Sequence, residues 1–138
     1  MALDLVSATS DGVFTLLDAA IDAAIAEVTT NPKPIDPKDT SERQFVVIGD
    51  IDSTNEGGKH EQLERITVQI IVIYRGRQRS KLHTLMHLVR SMLEYASPEV
   101  AGVDFGEIAW TGSAASPAGA DGVTHAGALE FEIFAEPA

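Results

Sequence analysis

The chain has 138 residues, of which 44% are hydrophobic and 22% are charged, and it carries a net charge of −11. This composition is typical of one globular domain and excludes a mostly disordered chain, while the acidic balance disfavours general charge attraction to nucleic acid. The absence of cysteine excludes disulfides and thiolate zinc sites, and the first residues lack the pattern of a signal peptide or a spanning helix.

Two segments of the N-terminal half, a helix and a linker, are predicted from the positions of apolar residues and prolines. Apolar residues recur every three or four positions from Val13 to Val28 and predict a helix over 11–28, within an N-terminal unit 1–30. Three prolines within 31–44 exclude a regular helix or a central strand and predict an extended linker there.

The remainder, 45–136, is predicted to form a sheet and a second helix. "FVVIGD" (45–50) indicates a short buried strand, and the polar stretch up to residue 62 indicates a loop. The alternating pattern of 63–75 predicts the clearest strand, and a second helix follows over 77–94. Two further strands, 103–110 and 123–136, flank a flexible tip at 111–122. The expected fold is an α+β domain spanning 1–138, with a mostly antiparallel four-stranded sheet and two main helices packed on one face.

Positive charge is concentrated where the long strand meets the second helix. Residues 75–90 contain five of the ten Lys and Arg residues and no acid, whereas 91–138 contain eight acids and no Lys or Arg. Cations at a helix N-terminus are unfavourable to the helix dipole, so a nearby acid is expected to compensate them. Arginine also suits paired contacts with carboxylates at interfaces. The cluster Arg75, Arg77, Arg79 and Lys81 is therefore a candidate subunit contact, with a solvent-exposed turn or a phosphate contact as alternatives.

The sequence contains no pattern that demands catalysis, a metal or another cofactor. His83 and His87 have the i, i+4 spacing that can bind a metal, but no third ligand lies near them in sequence, so an ordinary helix face is favoured. The loop beginning at Asp50 and Asp52 has Asn55 where a calcium loop needs glycine. Acids such as Glu130 and Glu132 fit the solvated face of an alternating strand better than acid–base chemistry.

Three segments together resemble one known family. They are "FVVIGD" (45–50), "ITVQIIVIYRGRQRSKLHTLMHLVRSML" (66–93) and "DGVTHAGALEFEIF" (121–134). In this order they resemble the tail terminator, or tail-completion, family of long-tailed phages, which also has relatives in prophages and gene transfer agents.

The resemblance implies a structural virion protein without enzymatic activity. Family members form a hexameric ring on the head-proximal end of the tail tube, end tube polymerisation and join the tail to the head connector or stopper protein. DNA passes through the ring without specific binding. By resemblance, the expected partners are further copies of the chain, the tube protein and the connector, with no membrane, and assembly takes place in the bacterial cytoplasm.

Within that ring, residue roles are hypotheses of charge matching. The basic cluster of one copy is expected to contact an acidic surface of the next, supplied by Glu130, Glu132 or the loop after Asp50. The predicted loops 50–62 and 111–122 are expected to contact the tube or the connector, through Asp50, Asp52, Asn55, Lys59, Ser113 and Asp121.

Two other functions stay open at this point. A small α+β binding module that dimerises through a sheet edge would have the same composition. An enzyme with a site at a subunit interface, built from His83, His87 or His125 and a neighbour's acids, would require a specific ligand. A dimer favours the first alternative, and a bound ligand or metal favours the second.

Overall fold

The computed structural model describes residues 3–22, 25–30, 41–119 and 121–138. In this part of the chain two helices and six strands follow the order α1 (Leu5–Ala20), β1 (Glu27–Thr29), β2 (Arg43–Asn55), β3 (Glu64–Arg75), α2 (Ser80–Leu93), β4 (Val103–Phe105), β5 (Ala109–Ala115) and β6 (Thr124–Pro137). The α+β class is confirmed, but the prediction of four strands was too few. No helix in the described part is both long and apolar enough to span a membrane.

Helix α1 begins and ends earlier than the predicted range 11–28. Its N-cap is Asp4, whose carboxylate accepts hydrogen bonds from the Ser7 backbone N–H at 3.0 Å and from the Ser7 hydroxyl at 2.7 Å. The apolar pattern missed the first turns because the buried positions there include Thr9 and Gly12. The chain leaves the helix at Ile21, where the backbone becomes extended.

Strand β1 was not predicted, because Glu27–Thr29 is short and its residues were assigned to the end of the helix. It pairs in parallel with β2, from Glu27 opposite Phe45 to Thr29 opposite Val47. Of the predicted linker 31–44, residues 31–40 lie outside the described part, and Arg43 and Gln44 already belong to β2.

The sheet has the order β1-β2-β3-β6-β4, and β5 also pairs with β6 beside β4. All pairs except β1–β2 are antiparallel. The predicted strand 103–110 is two strands, because β4 pairs with the end of β6 and β5 with its middle. Strands β3 and β6 lie close to their predicted ranges and form the centre of the sheet.

Both helices pack on one face of this sheet, which we call the helix face. Alternate residues of β3, from Ile66 to Tyr74, and of β6, from Leu129 to Ala135, are buried against apolar side chains of α1 and α2. The opposite, outer face carries the other set of alternate residues, which includes Gln69, Ile71 and Glu130. The prediction that both helices lie on one face is therefore confirmed.

The two ends of the sheet differ in the loops that they carry. The end where β3 finishes carries the turn to α2 and the loop before β6, and we call it the turn end. The other end carries residues 56–63, which connect β2 to β3, and we call it the hairpin end. Its loop is closed by backbone hydrogen bonds from Glu56 and Gly57 to the Leu63 carbonyl, at 2.8 and 3.1 Å.

Candidate subunit-contact surface

The basic turn is built by a close approach between Gly76 and the preceding tyrosine. A Cβ atom at Gly76 would lie 2.3 Å from the Tyr74 hydroxyl oxygen, so the turn requires glycine there. The Gly76 N–H donates to the Val123 carbonyl at 2.9 Å, and the Tyr74 hydroxyl accepts the Gln78 N–H at 3.1 Å. These contacts fix the direction in which the following side chains leave the sheet.

Lys81 is paired inside its own protomer. Its ammonium group lies 2.8 and 3.0 Å from the two carboxylate oxygens of Glu42, and the Tyr74 hydroxyl donates to the same carboxylate at 2.9 Å. The hydrogen bonds from Lys81 and then Tyr74 lower the pKa of Glu42, and the hydrogen bond to Glu42 raises the pKa of Lys81. Glu42 supplies the compensating acid that the sequence required, from a segment predicted to be linker, and no local pattern could have indicated a contact at this sequence separation.

Arg75 is the last residue of β3. It is half-buried and lies on the outer face between Arg43 and Thr124. Its Nη1 atom is buried and has no hydrogen-bond partner among the described residues. The positive charge of Arg75 contributes to lowering the pKa of Asp121, in the turn before β6.

Arg77 and Arg79 are the exposed members of the cluster. Both side chains are exposed, and neither forms an ion pair or a hydrogen bond with any described residue. Arg79 is the N-cap residue of α2 but provides no side-chain cap. Their guanidinium groups are therefore available to a partner.

Glu130 and Glu132 lie on the outer face, as predicted, but far from the basic turn of the same protomer. Glu130 is exposed, pairs in register with Gln69, and accepts a hydrogen bond from Thr111 at 3.3 Å. The six-residue step along β3 from Arg75 to Gln69 corresponds to roughly 20 Å. These acids and the arginines can meet only between two copies.

Most of the predicted loop residues lie elsewhere than in loops. Asp50, Asp52 and Asn55 belong to β2, because β3 pairs with this polar stretch as far as Glu64; a β-bulge at Gly49 and Asp50 shifts the register. Lys59 lies in the hairpin-end loop.

Of the predicted tip 111–122, residues up to Ala115 form strand β5, and Ser113 there accepts the Trp110 indole N–H at 2.8 Å. Asp121 lies in the turn before β6 and accepts hydrogen bonds from the Thr124 hydroxyl and the Thr124 and Val123 backbone N–H groups. These bonds, led by the Thr124 hydroxyl, lower its pKa to about 2. The Asp121 carboxylate therefore stabilises its own turn.

The histidines do not form a metal site in the described part of the chain, where no group of three potential ligands is found. His83 and His87 are exposed and line a groove of about 350 Å³ between α2 and β5. His125 is buried, with its ring centroid 5.9 Å from that of Tyr74. In the same groove, the Arg90 guanidinium lies 3.6 Å from the centroid of the Trp110 ring, a contact that sequence reasoning did not find.

Comparison with known families decides the identity of the chain. Residues 8–136 match the family model of tail completion protein gp17. The chain belongs to this tail completion family. The family resemblance found in the three sequence segments is thereby confirmed, and the tail completion protein is a structural protein of the phage tail.

The fold of this tail completion protein is found in a known particle. A chain in the virion of a native gene transfer agent particle superposes with a TM-score of 0.79 at 17% sequence identity, covering 97% of this chain and 99% of that one. At this identity the match shows a shared fold. Among curated proteins there is no significant match.

Proposed function

We propose that this tail completion protein forms a ring that caps the head-proximal end of the tail tube, ends tube polymerisation and joins the tail to the head connector. The observation that carries the proposal is the family match, which covers both helices and all six strands except the outermost residues. The proposed role is one of binding and shape and needs no catalytic group.

The separation of charge supports head-to-tail contact between copies. Arg77 and Arg79 are exposed at the turn end, while Glu130, Glu132 and Asp52 lie on the outer face toward the hairpin end. A contact between two different patches repeats from copy to copy and closes into a ring when the rotation permits. Within the predicted cluster we assign the contact to Arg77 and Arg79, because Lys81 is ion-paired with Glu42 and Arg75 is half-buried.

The placement of the loops supports two different axial partners. The hairpin-end loop, which contains Lys59, and the loop that contains Asp121 lie at opposite ends of the sheet. In a ring whose axis runs along the strands, one loop reaches the tube protein and the other the connector. Asp50, Asp52, Asn55 and Ser113 lie along the strands and are assigned to contacts between copies instead.

The acidic balance supports passage of DNA without retention. A lumen that carries acids repels phosphates, whereas a basic lumen would bind them and slow ejection. The net charge of −11 supports a lumen of this kind, and a basic lumen surface would contradict it.

The test is the solution mass by light scattering, measured over a concentration series at low and moderate salt. We expect a species of six times the 14.7 kDa chain mass that weakens as salt rises. If the chain alone is a monomer, it is mixed with tail tubes that lack a terminator. We then expect it to bind one end of each tube. A strict dimer under all conditions, or a monomer that leaves tubes unbound, contradicts the proposal.

A further inference from the structure

Besides the short strands β1 and β4, two longer strand segments of the described sheet lack a neighbour on one side. Strand β5 pairs only with β6, and β2 pairs with β1 only from Phe45 to Val47, so that β2 is unpaired on that side as far as Asn55 among the described residues. These free edges lie on opposite sides of the same sheet. Each exposes a row of backbone N–H and C=O groups that can pair with another strand.

The β5 edge lacks the usual protection against such pairing. Its sequence, AWTGSAA, contains no charged residue and no proline, and most of its side chains are exposed. Each edge has one bulge, between Trp110 and Gly112 in β5 and between Ile48 and Ile51 in β2. The regular segments available for pairing are therefore Gly112–Ala115 and Ile51–Asn55.

The charges at the two edges differ and disfavour pairing of two β2 edges. Strand β5 itself carries no charge, and Arg90 in the groove beside it is paired with Glu94 of the same protomer at 3.5 Å. The free part of β2 contains Asp50 and Asp52 and no basic residue. Two β2 edges placed side by side would repel each other through Asp52, whereas a β2 edge beside β5 meets a strand without charged residues.

We propose that the β5 edge of one copy pairs with the free β2 edge of the next copy, so that one continuous sheet runs around the ring. This inference rests on the proposed ring. It names the partner of each edge as a second copy of this chain, and it adds a backbone contact to the charge contact of Arg77 and Arg79.

Strand direction fits this pairing. Strands β2, β3, β6 and β5 alternate in direction across the sheet, so that a following β2 is antiparallel to β5 when copies are related by rotation about the ring axis. The paired segments are offset along the strands by roughly four to five residues, and a closed sheet needs such a stagger because its strands tilt. Strand β1 covers the earlier part of the β2 edge, which forces the offset.

Crosslinking tests the edge contact directly, because the natural chain has no cysteine. Ala114→Cys and Asp52→Cys are combined in one chain; both side chains are exposed, and Ala114 and Asp52 both lie on the outer face. The assembled protein, with tail tubes added if the chain alone is monomeric, is treated with a short bis-maleimide. We expect a ladder of crosslinked species up to six chains.

Three controls separate the possible results. Each single-cysteine variant should give no crosslinked dimer, because the contact joins two different edges, and the pair Ala114→Cys with Glu99→Cys should not form the ladder. A dimer from Ala114→Cys alone would show that two β5 edges pair and would overturn the inference. A ring seen by light scattering without the ladder overturns the edge contact and leaves the ring intact. Absence of any assembly, even with tubes, overturns the proposed function and the inference together.

Discussion

At the scale of single residues, Tyr95 has an unfavourable backbone conformation. Among the described residues it alone combines a side chain with a positive φ, at 70°, and it follows the last turn of α2. Helices commonly end with glycine in this left-handed conformation, since a Cβ atom is disfavoured there. The Tyr95 N–H donates to the Ile108 carbonyl at 2.8 Å, which holds the strained conformation in place.

Tyr95→Gly should therefore raise the free energy of unfolding by about 1 kcal/mol. The ring is 72% exposed, so that little buried surface is lost with it. Urea denaturation measures the change. Tyr95→Ala is the matched control, because it removes the ring but keeps the Cβ atom, and it should not reproduce the gain. A stability unchanged or lowered by Tyr95→Gly contradicts the strain.

Asp121 makes the stability of the loop before β6 dependent on pH. Its pKa of about 2 in the folded protein lies below its ordinary value of 3.8, because the Thr124 hydroxyl and two backbone N–H groups donate to it. A carboxyl group with a depressed folded pKa contributes stability above its unfolded pKa, and the contribution is lost as pH falls toward the folded value. The loss attributable to Asp121 thus falls between about pH 4 and pH 2.

Asp121→Asn should be less stable than the natural chain at pH 7, and the difference should shrink as pH falls from 4 to 2. Urea midpoints measured across this range test the expectation. Glu99→Gln, an exposed position without a side-chain hydrogen bond in the described structure, should retain the acid sensitivity of the natural chain. A constant difference between Asp121→Asn and the natural chain at all pH values would count against the hydrogen-bonded turn.

At the scale of secondary-structure elements, the sequence predicted the helices and strands whose apolar residues mark the buried face. The apolar residues of β3 and β6 alternate, and those of α2 recur every three or four positions, in step with the buried face of each element. The predicted ranges of these three elements were therefore close to the observed ones. The extension of β2 to Asn55 was missed because its polar residues are in a strand only through pairing with β3. The break between β4 and β5 was missed because it is defined only by pairing: the two segments pair with different parts of β6.

The residues of the proposed contact surface were only partly predictable for the same reason. The exposed arginines were recognisable from local charge, and Glu130 and Glu132 from alternation. The partner of Lys81 was not, because Glu42 is distant in sequence. Nor does local sequence reveal which edge of a strand is free, since that depends on how distant strands are ordered in the sheet.

Close packing between α2 and β6 depends on a glycine. A Cβ atom at Gly127 would lie 2.4 Å from Met86 Sδ and 2.8 Å from its Cε. Gly127→Ala should lower the free energy of unfolding by about 1 kcal/mol, because the flexible end of Met86 must move from its packed position toward the groove between α2 and β5. Urea denaturation gives the value.

The same clash predicts that the stability losses of two substitutions are not additive. The double variant Gly127→Ala with Met86→Ala should lose less stability than the sum of the two single variants, because the clashing atoms are gone. Gly112→Ala is the matched control, since a Cβ atom there meets nothing within 4 Å. Strict additivity of the two core changes would argue against this contact.

At the scale of the whole molecule, the two ends of the sheet differ in charge, so that any ring built from equally oriented copies has two different faces. A ring with identical faces could cap a tube in either direction. The proposed ring cannot, because the turn end presents exposed arginines and the hairpin end presents a polar loop closed at Leu63.

Charge reversal at the turn end tests this arrangement. Arg77→Glu with Arg79→Glu should leave the far-ultraviolet circular dichroism unchanged, because both side chains are exposed, and should shift the assembled species to monomer in light scattering. Lys59→Glu, at an exposed position of the hairpin-end loop without an ion pair among the described residues, is the control and should retain the ring. A ring that persists in the Arg77 and Arg79 variant rejects the contact.

The central position of β6 has a consequence for biosynthesis. This strand pairs with β3, β4 and β5, yet it is translated after all of them. The ribosome therefore releases a β2–β3 hairpin and two helices before the strand that closes their core exists, and final folding waits for the last segment to emerge. Until then the apolar face of β3 is exposed on the nascent chain. A chaperone is therefore expected to bind the chain mainly in the interval before β6 emerges.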